Sequence, residues 1–197
     1  MPLKKWIAAL TALCVLLAVA QAQSIFDATP APTSEPVGLP LSEYIYADGS
    51  NSTLGVRFSY PSHWEYIPGH HTVCFKEPVN DGDIAARMAI SVKQLSDRAD
   101  EDRMTSELAS FLYAISTQFD MNPEIGNLIT DVSFMGKTGY STIYRATLNG
   151  KTVRGYVIMA CVGTKIYAYH FSAAEEDYNA MSQVMETLRT SIQAANS

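Results

Sequence analysis

The sequence predicts an α+β fold, in which a mostly antiparallel sheet of about six or seven strands is sandwiched by two long helices. Segments rich in β-branched and aromatic residues follow one another through very short turns, which favours antiparallel pairing of neighbouring strands. Two of these segments are apolar at almost every position, which is typical of strands covered on both faces. Two longer segments carry apolar residues at helical spacing and would provide the covers.

The segment from residue 139 to residue 191 predicts three strands and a helix in direct succession. Asn149-Gly150 joins the first two strands, because both central residues of a type I′ turn need positive φ. Gly163 gives the chain the same freedom at the second turn. The first strand mixes polar and apolar residues, and the other two are expected at the centre of the sheet. The three strands are predicted at Tyr140–Leu148, Lys151–Val162 and Lys165–Phe171.

The two predicted helices each carry a single apolar stripe. The later helix begins near Ala173, where Ser172 and Glu175 have the spacing of a capping box. Its stripe comprises Tyr178, Met181, Val184, Met185, Leu188 and Ile192. The stripe of the earlier helix comprises Met104, Leu108, Phe111, Leu112, Ile115 and Phe119. One apolar face per helix predicts that each helix packs on one face of the sheet.

Four more strands are predicted outside this segment. Three precede the earlier helix and one follows it, which gives the order strand, strand, strand, helix, four strands, helix. Their predicted positions are Leu54–Tyr60, Thr72–Lys76, Ile84–Gln94 and Asn127–Phe134.

Residues 1–22 predict a secretory signal peptide. Lys4 and Lys5 precede an apolar run from Trp6 to Ala20, and Ala20-Gln21-Ala22 offers small residues at a cleavage site. The run is short for a membrane span, so an uncleaved anchor is the less favoured alternative. The predicted location is therefore secreted or cell-surface, with no membrane contact beyond the export signal.

The rest of the chain is predicted to be a linker and one domain. Residues 23–42 are rich in Pro, Thr and Ser and predict a disordered linker, and residues 43–197 have the size of a single α+β domain. The net charge of the full chain is −6, and cleavage would remove two lysines and no acidic residue. This acidity argues against nucleic acid as a partner and against an anionic membrane surface.

A group of histidines and a thiol forms the one candidate metal site. His63, His70, His71 and Cys74 lie within a dozen residues, and imidazole with thiolate suits zinc or copper. Their spacing matches no known metal motif, and the simpler interpretation is a polar loop before a strand. No phosphate loop, nucleophile elbow or His-Glu-x-x-His motif is present, so neither a cofactor nor catalysis is predicted.

Two cysteines follow the signal peptide. An even number in an exported chain allows a disulfide between Cys74 and Cys161, and the alternative is two buried free thiols. Either cysteine could be paired with His170 as a nucleophile, but Cys161 lies in an apolar strand, where a thiol is inert.

Tyrosines are concentrated in the predicted strands near the C-terminus. Tyr140, Tyr144 and Tyr167 are candidates for a contact surface, since exposed tyrosine suits protein or glycan binding. The alternative is that these rings pack across neighbouring strands inside the fold.

The segment Gly55–Trp64 resembles the G-x-x-F-x-Y-P-x-x-W opening of PsbP-like domains. The strand Lys165–Phe171, followed by a helix that ends with Thr187–Ile192, is similar to the end of those domains. The resemblance implies an α/β/α sandwich. That family includes an extrinsic lumenal subunit of photosystem II, a nuclear-transport factor that binds the GTPase Ran, and many secreted bacterial domains of unassigned role.

The resemblance, together with the missing catalytic motifs, favours an exported non-catalytic binding or assembly domain. Its partner would be another protein or a cell-envelope component, and the oligomeric state is left open. The alternative is a secreted enzyme or metal-binding protein that uses the region of His63, His70 and His71.

Overall fold

The computed structural model describes residues 44–118 and 122–195, so the predicted signal peptide and linker lie outside the described residues. The described strands are β1 Tyr46–Asn51, β2 Val56–Pro61, β3 Glu65–Pro68, β4 Thr72–Lys76, β5 Arg87–Gln94, β6 Glu124–Ile125, β7 Ile129–Phe134, β8 Lys137–Leu148, β9 Lys151–Val162, β10 Lys165–Ala174 and β11 Gln193–Ala194. The described helices are α1 Glu101–Gln118, α2 Glu175–Tyr178 and α3 Ser182–Ser191.

The strands form two antiparallel sheets. The larger has eight strands in the order β3-β4-β5-β10-β9-β8-β6, with β7 also pairing with β8. The smaller has the order β1-β2-β11. The α+β class and the antiparallel sheet are therefore confirmed. The predicted turns are confirmed as well: Asn149, Gly150 and Gly163 have φ of 52°, 77° and 65° between strands paired in register.

The covers of the large sheet differ from the prediction of two long helices. The described residues contain three helices, of 18, 4 and 10 residues. One face of the sheet packs on α1. The other packs on α3 and on strand β2, whose Val56 and Phe58 are buried in the same core cluster as Leu188. The smaller sheet thus covers part of the face where one long helix was predicted. The large sheet has eight strands instead of the predicted six or seven.

The C-terminal helix is shorter than predicted because strand β10 continues further. Ser172 pairs with Gly155 inside the sheet and does not cap a helix, so the predicted capping box is wrong. Ala174 occupies the N-cap position of α2 without a side-chain hydrogen bond. The chain leaves helical structure after Tyr178 and resumes it at Ser182, while Tyr178 and Leu188 both remain buried.

Alternating residues of the central strands pack into two separate cores. On one face, Val157 and Ala168 contact a cluster that includes Met104 and Leu108 of α1. On the other face, Ile158 and Tyr169 join the cluster beneath α3 and β2. Because successive side chains of a strand point to opposite faces, the almost continuous apolar sequence of β9 and β10 fills both cores.

Gly155 permits an unusually close contact in the centre of the sheet. A Cβ atom at this position would lie 2.2 Å from two ring atoms of Tyr144, which is opposite Gly155 on β8. The tyrosine ring therefore lies across strand β9, and its hydroxyl reaches His170 on β10. A side chain at residue 155 would displace this ring.

We expect Gly155→Ala to lower the free energy of unfolding by about 1–3 kcal/mol, because the methyl group overpacks against Tyr144. Urea denaturation followed by circular dichroism measures the change. The matched test places Gly155→Ala in a Tyr144→Ala background, where the methyl group has room and its cost should disappear. An equal cost in both backgrounds would contradict the ring contact as its cause.

Candidate functional site

Four aliphatic side chains are exposed on neighbouring segments where the large sheet ends. Ile125, Leu128, Ile129 and Ile143 are 49%, 42%, 54% and 41% exposed. Ile125 belongs to β6, Ile129 to β7 and Ile143 to β8, while Leu128 lies in the connection between β6 and β7. We call these four residues the edge patch. Contiguous exposed apolar surface is typical of interaction sites in folded proteins.

The backbone of the edge patch is fixed by hydrogen bonds to β8. The Gly126 N–H donates to the Ile143 carbonyl at 2.8 Å, and the Thr142 hydroxyl donates to the Gly126 carbonyl at 3.1 Å. A Cβ atom on Gly126 would lie 2.9 Å from Cγ1 of Ile143, so glycine allows the segment to pass directly over that side chain. The exposed side chains therefore stand on an ordered support.

The position of the patch follows from the pairing of β8. Its inner edge pairs with β9 over residues 139–148, but its outer edge pairs only with the two-residue β6 and with β7. The register of β7 shifts between Ile129 and Val132. Ile129 is opposite Ser141 and Ile125 is opposite Tyr144, so the patch straddles the edge and reaches both faces of the sheet.

A polar cleft of about 340 Å³ lies between the start of α1 and the turn that joins β7 and β8. Asp100 caps α1 by accepting the Arg103 N–H at 2.8 Å. Partial burial and the negative charges of Glu101, Asp131 and Asp100 raise the pKa of Tyr140. The cleft is lined by Arg98, Ala99, Asp100, Glu101, Met104, Gly136, Lys137, Thr138, Tyr140 and Cys161.

A neutral tyrosine–histidine pair lies beneath α1. The Tyr144 hydroxyl and His170 Nε2 are 2.8 Å apart, and the Phe111 ring stands edge-on to the imidazole. Burial and the nearby charge of Arg87 lower the pKa of His170 to about 4. Burial is also the main cause of the raised pKa of Tyr144. Both side chains are therefore uncharged at neutral pH, which suits a structural hydrogen bond inside the fold.

The structure separates the candidate metal ligands into different turns and strands. His63 lies between β2 and β3 with its ring against Tyr44, whereas the rings of His70 and His71 contact each other between β3 and β4. Cys74 lies on β4. Across residues 44–118 and 122–195, no group of three or more His, Cys, Asp or Glu side chains is arranged to hold a metal ion.

Cys74 and Cys161 are half-buried and are not bonded to each other, so the disulfide considered from the sequence is not formed. Strands β5 and β10 lie between β4 and β9, so three strand spacings place the two Cα atoms at least about 14 Å apart. A disulfide needs a Cα separation below about 7 Å. The Cys161 thiol instead donates to the Gly163 carbonyl and forms part of the cleft.

Cys74 and His170 do not form a nucleophile–base pair. Both residues are opposite Ala89, one on each side of β5. Two strand spacings, about 10 Å in total, therefore separate their Cα atoms. His170 has Tyr144 as its hydrogen-bond partner.

The predicted tyrosine contact surface requires correction at two of its three positions. Tyr144 and Tyr167 are only 2% and 4% exposed, and the Tyr167 hydroxyl donates to the Leu54 carbonyl at 3.3 Å. They pack within the fold, which was the alternative interpretation. Tyr140 is half-buried in the wall of the cleft.

The sequence gives only a weak signal for the edge patch. Isoleucine and leucine at 125, 128 and 129 resemble the core residues of any strand, and nothing local shows that this strand is the last in the sheet.

None of the helices in the described residues is long and apolar enough to cross a membrane.

Comparison with known proteins identifies a family and a related fold. The profile of the PsbP family matches residues 46–194. The solution structure of cyanobacterial PsbP from Synechocystis sp. PCC 6803 is similar, with 17% identity over 84% of this chain and 99% of that chain and a TM-score of 0.59. This likeness shows the fold. No curated protein sequence matches the chain.

Two other structures show more distant similarity. LpqN, involved in cell envelope biogenesis of Mycobacterium tuberculosis, is 10% identical over 77% of this chain and 91% of that chain, with a TM-score of 0.44. The protein of unknown function PA94 from Pseudomonas aeruginosa is 13% identical over 73% of this chain and 95% of that chain, with a TM-score of 0.43.

We expect His170 to make the protein acid-sensitive. Its pKa is about 4 in the folded state and 6.5 when exposed, so below pH 6.5 the unfolded chain binds more protons and stability falls. Between pH 7 and pH 4.5 this group should cost about 2–3 kcal/mol of unfolding free energy. Urea denaturation at both pH values should show that His170→Gln loses less unfolding free energy on acidification than the wild type.

The matched control is His70→Gln, at an exposed histidine between β3 and β4. This variant should keep the acid sensitivity of the wild type. The assignment to His170 is wrong if both variants lose stability to the same extent on acidification.

Proposed function

The chain belongs to the PsbP family, and from this we propose that it is an exported, non-catalytic binding or assembly domain. Its partner is another protein or a cell-envelope component. The family match covers residues 46–194, most of the predicted domain. Family and fold alone do not define a function, so the proposal rests on a site.

The edge patch is the observation that carries the proposal. Four aliphatic side chains at 41–54% exposure are held on hydrogen-bonded backbone at the sheet edge. Burying one such side chain fully is worth about 1.5–3 kcal/mol, so the remaining exposed area of the four supports several kcal/mol of association. Part of that energy offsets the cost of ordering two molecules.

The ordered backbone beneath the edge patch favours a binding surface over a locally unstable segment. Gly126 and Thr142 fix the chain at Ile143, and buried Tyr144 follows directly on β8. A partner would therefore meet a surface that needs little reorganisation, which raises affinity for a given contact area. The alternative of a metal-binding or catalytic protein gains no support from His63, His70 and His71, which lie in two separate turns.

The proposal includes export. The lysine pair, apolar run and small residues of segment 1–22 have the features of a signal peptide, and the acidic net charge of −6 suits a protein that stays free of anionic surfaces.

We expect the double variant Ile129→Ser/Ile143→Ser to lose its partner. Affinity-tagged wild type and variant are incubated with the envelope fraction of the source organism, cross-linked and analysed by quantitative mass spectrometry. A partner that uses the patch should be depleted about tenfold or more with the variant, because two central apolar contacts are removed.

The matched control is Tyr113→Ser, which removes an apolar side chain that is 73% exposed on α1. This control should retain the partner, and all three proteins should unfold within about 1 kcal/mol of one another because the changes are exposed. Equal recovery of every cross-linked protein with wild type and double variant would refute the patch as the binding site.

Export is checked on protein isolated from the source organism's medium or cell surface. We expect intact mass and N-terminal sequencing to show a chain that begins at Gln23, since cleavage after Ala22 fits the small-residue site. Recovery of the protein only from the cytosol with residues 1–22 attached would contradict this.

A further inference from the structure

The charged side chains that flank the edge patch along β6 and β7 are acidic. Glu124 and Asp131 flank the patch along the chain, both are exposed, and neither forms an ion pair with the described residues. Arg145 is opposite Glu124, but it already donates from Nε and Nη2 to both carboxylate oxygens of Glu175, at 3.2 and 2.9 Å. The patch is thus an aliphatic surface with two exposed carboxylates on its rim that form no ion pair with the described residues, although Glu175 and, to a lesser extent, the charge of Glu124 raise the pKa of Arg145.

The backbone at this edge is poorly suited to strand addition. A continuous ladder needs an unbroken edge, but β6 has two residues and the register of β7 shifts after Ile129. The Ser133 carbonyl already accepts a hydrogen bond from Arg189 Nη1 at 2.6 Å. These features leave side-chain contacts as the means of docking.

We propose that the edge patch binds an amphipathic protein segment whose aliphatic face is flanked by Lys or Arg. This inference rests on the proposed function and specifies its partner. The aliphatic face packs on Ile129 and Ile143, and the basic side chains meet Glu124 and Asp131 at the rim. Charges at a rim contribute specificity and association rate, and they disfavour partners of the wrong sign.

The test uses two designed peptides of about 18 residues, long enough to form an amphipathic helix. One is built from Leu and Lys, and the other has Glu at every Lys position. Binding to the purified domain is measured by fluorescence anisotropy at two salt concentrations, and the contact site is mapped by amide chemical shifts. We expect the Leu–Lys peptide to bind at least about tenfold more tightly than the Leu–Glu peptide. The chemical shift changes should be centred on residues 124–131 and 143.

The variant Glu124→Lys/Asp131→Lys reverses both rim charges. This variant should bind the Leu–Lys peptide about tenfold more weakly at low salt, because two attractions become repulsions. Its binding should also depend less on salt. The control Asp81→Lys/Asp97→Lys makes the same change in net charge at exposed acidic residues outside the patch. This control should change the affinity by less than about twofold.

Three results would overturn the inference: equal affinity for both peptides, equal effects of the two charge-reversal variants, or shifts centred outside the patch. The proposed function is separable from it through the native partner. If Ile129→Ser/Ile143→Ser loses that partner while Glu124→Lys/Asp131→Lys retains it, the edge patch binds a partner but the basic rim is wrong. Loss of the partner with both double variants, and with neither control, supports both proposals.

Discussion

The fold depends on the burial of strands β9 and β10 on both faces. Two tight turns, at Asn149-Gly150 and at Gly163, fix the register of β8, β9 and β10 so that alternate residues enter opposite cores. A register slip of one residue would exchange the faces of Val157 and Ile158 and disrupt both packings. Helix α1 on one side, and α3 with β2 on the other, are therefore bound to a sheet whose register the turns have set.

The same constraint accounts for the edge patch. On β8 the face toward α1 remains buried at Thr142, Tyr144 and Ala146, whereas the opposite face is exposed at Ile143 and Arg145. Beyond β8 the chain contributes only a two-residue strand and a strand with a register shift. An exposed sheet edge is a hazard for aggregation, and the shift together with the Arg189 contact to Ser133 blocks continuous pairing. Protection of the backbone leaves the aliphatic side chains accessible, so the surface can bind through them without offering an open edge.

Features that depend on local sequence were predictable, and those that depend on strand order were not. Asn149-Gly150 gave the hairpin because few residues adopt positive φ, and the apolar runs of β9 and β10 gave two-sided burial. The capping box at Ser172 failed because strand pairing with Gly155 outweighed a local cap. The sequence does not decide between surface and core for Tyr144, because its burial depends on the missing side chain of residue 155 on another strand. The edge patch required knowledge of which strand comes last.

Tyr144 and Ile143 are adjacent on β8, but their side chains point to opposite faces of the sheet and have different surroundings. Tyr144 points beneath α1, where the space above Gly155 admits its ring and His170 satisfies its hydroxyl. Ile143 points to the opposite face, where it is opposite the half-buried Tyr156 and Gly126 passes directly over it. A larger residue at 126 would clash with Ile143 or displace the chain from β8. The small residue thus keeps Ile143 both fixed and exposed, and this combination favours the proposed docking surface over an incompletely packed core.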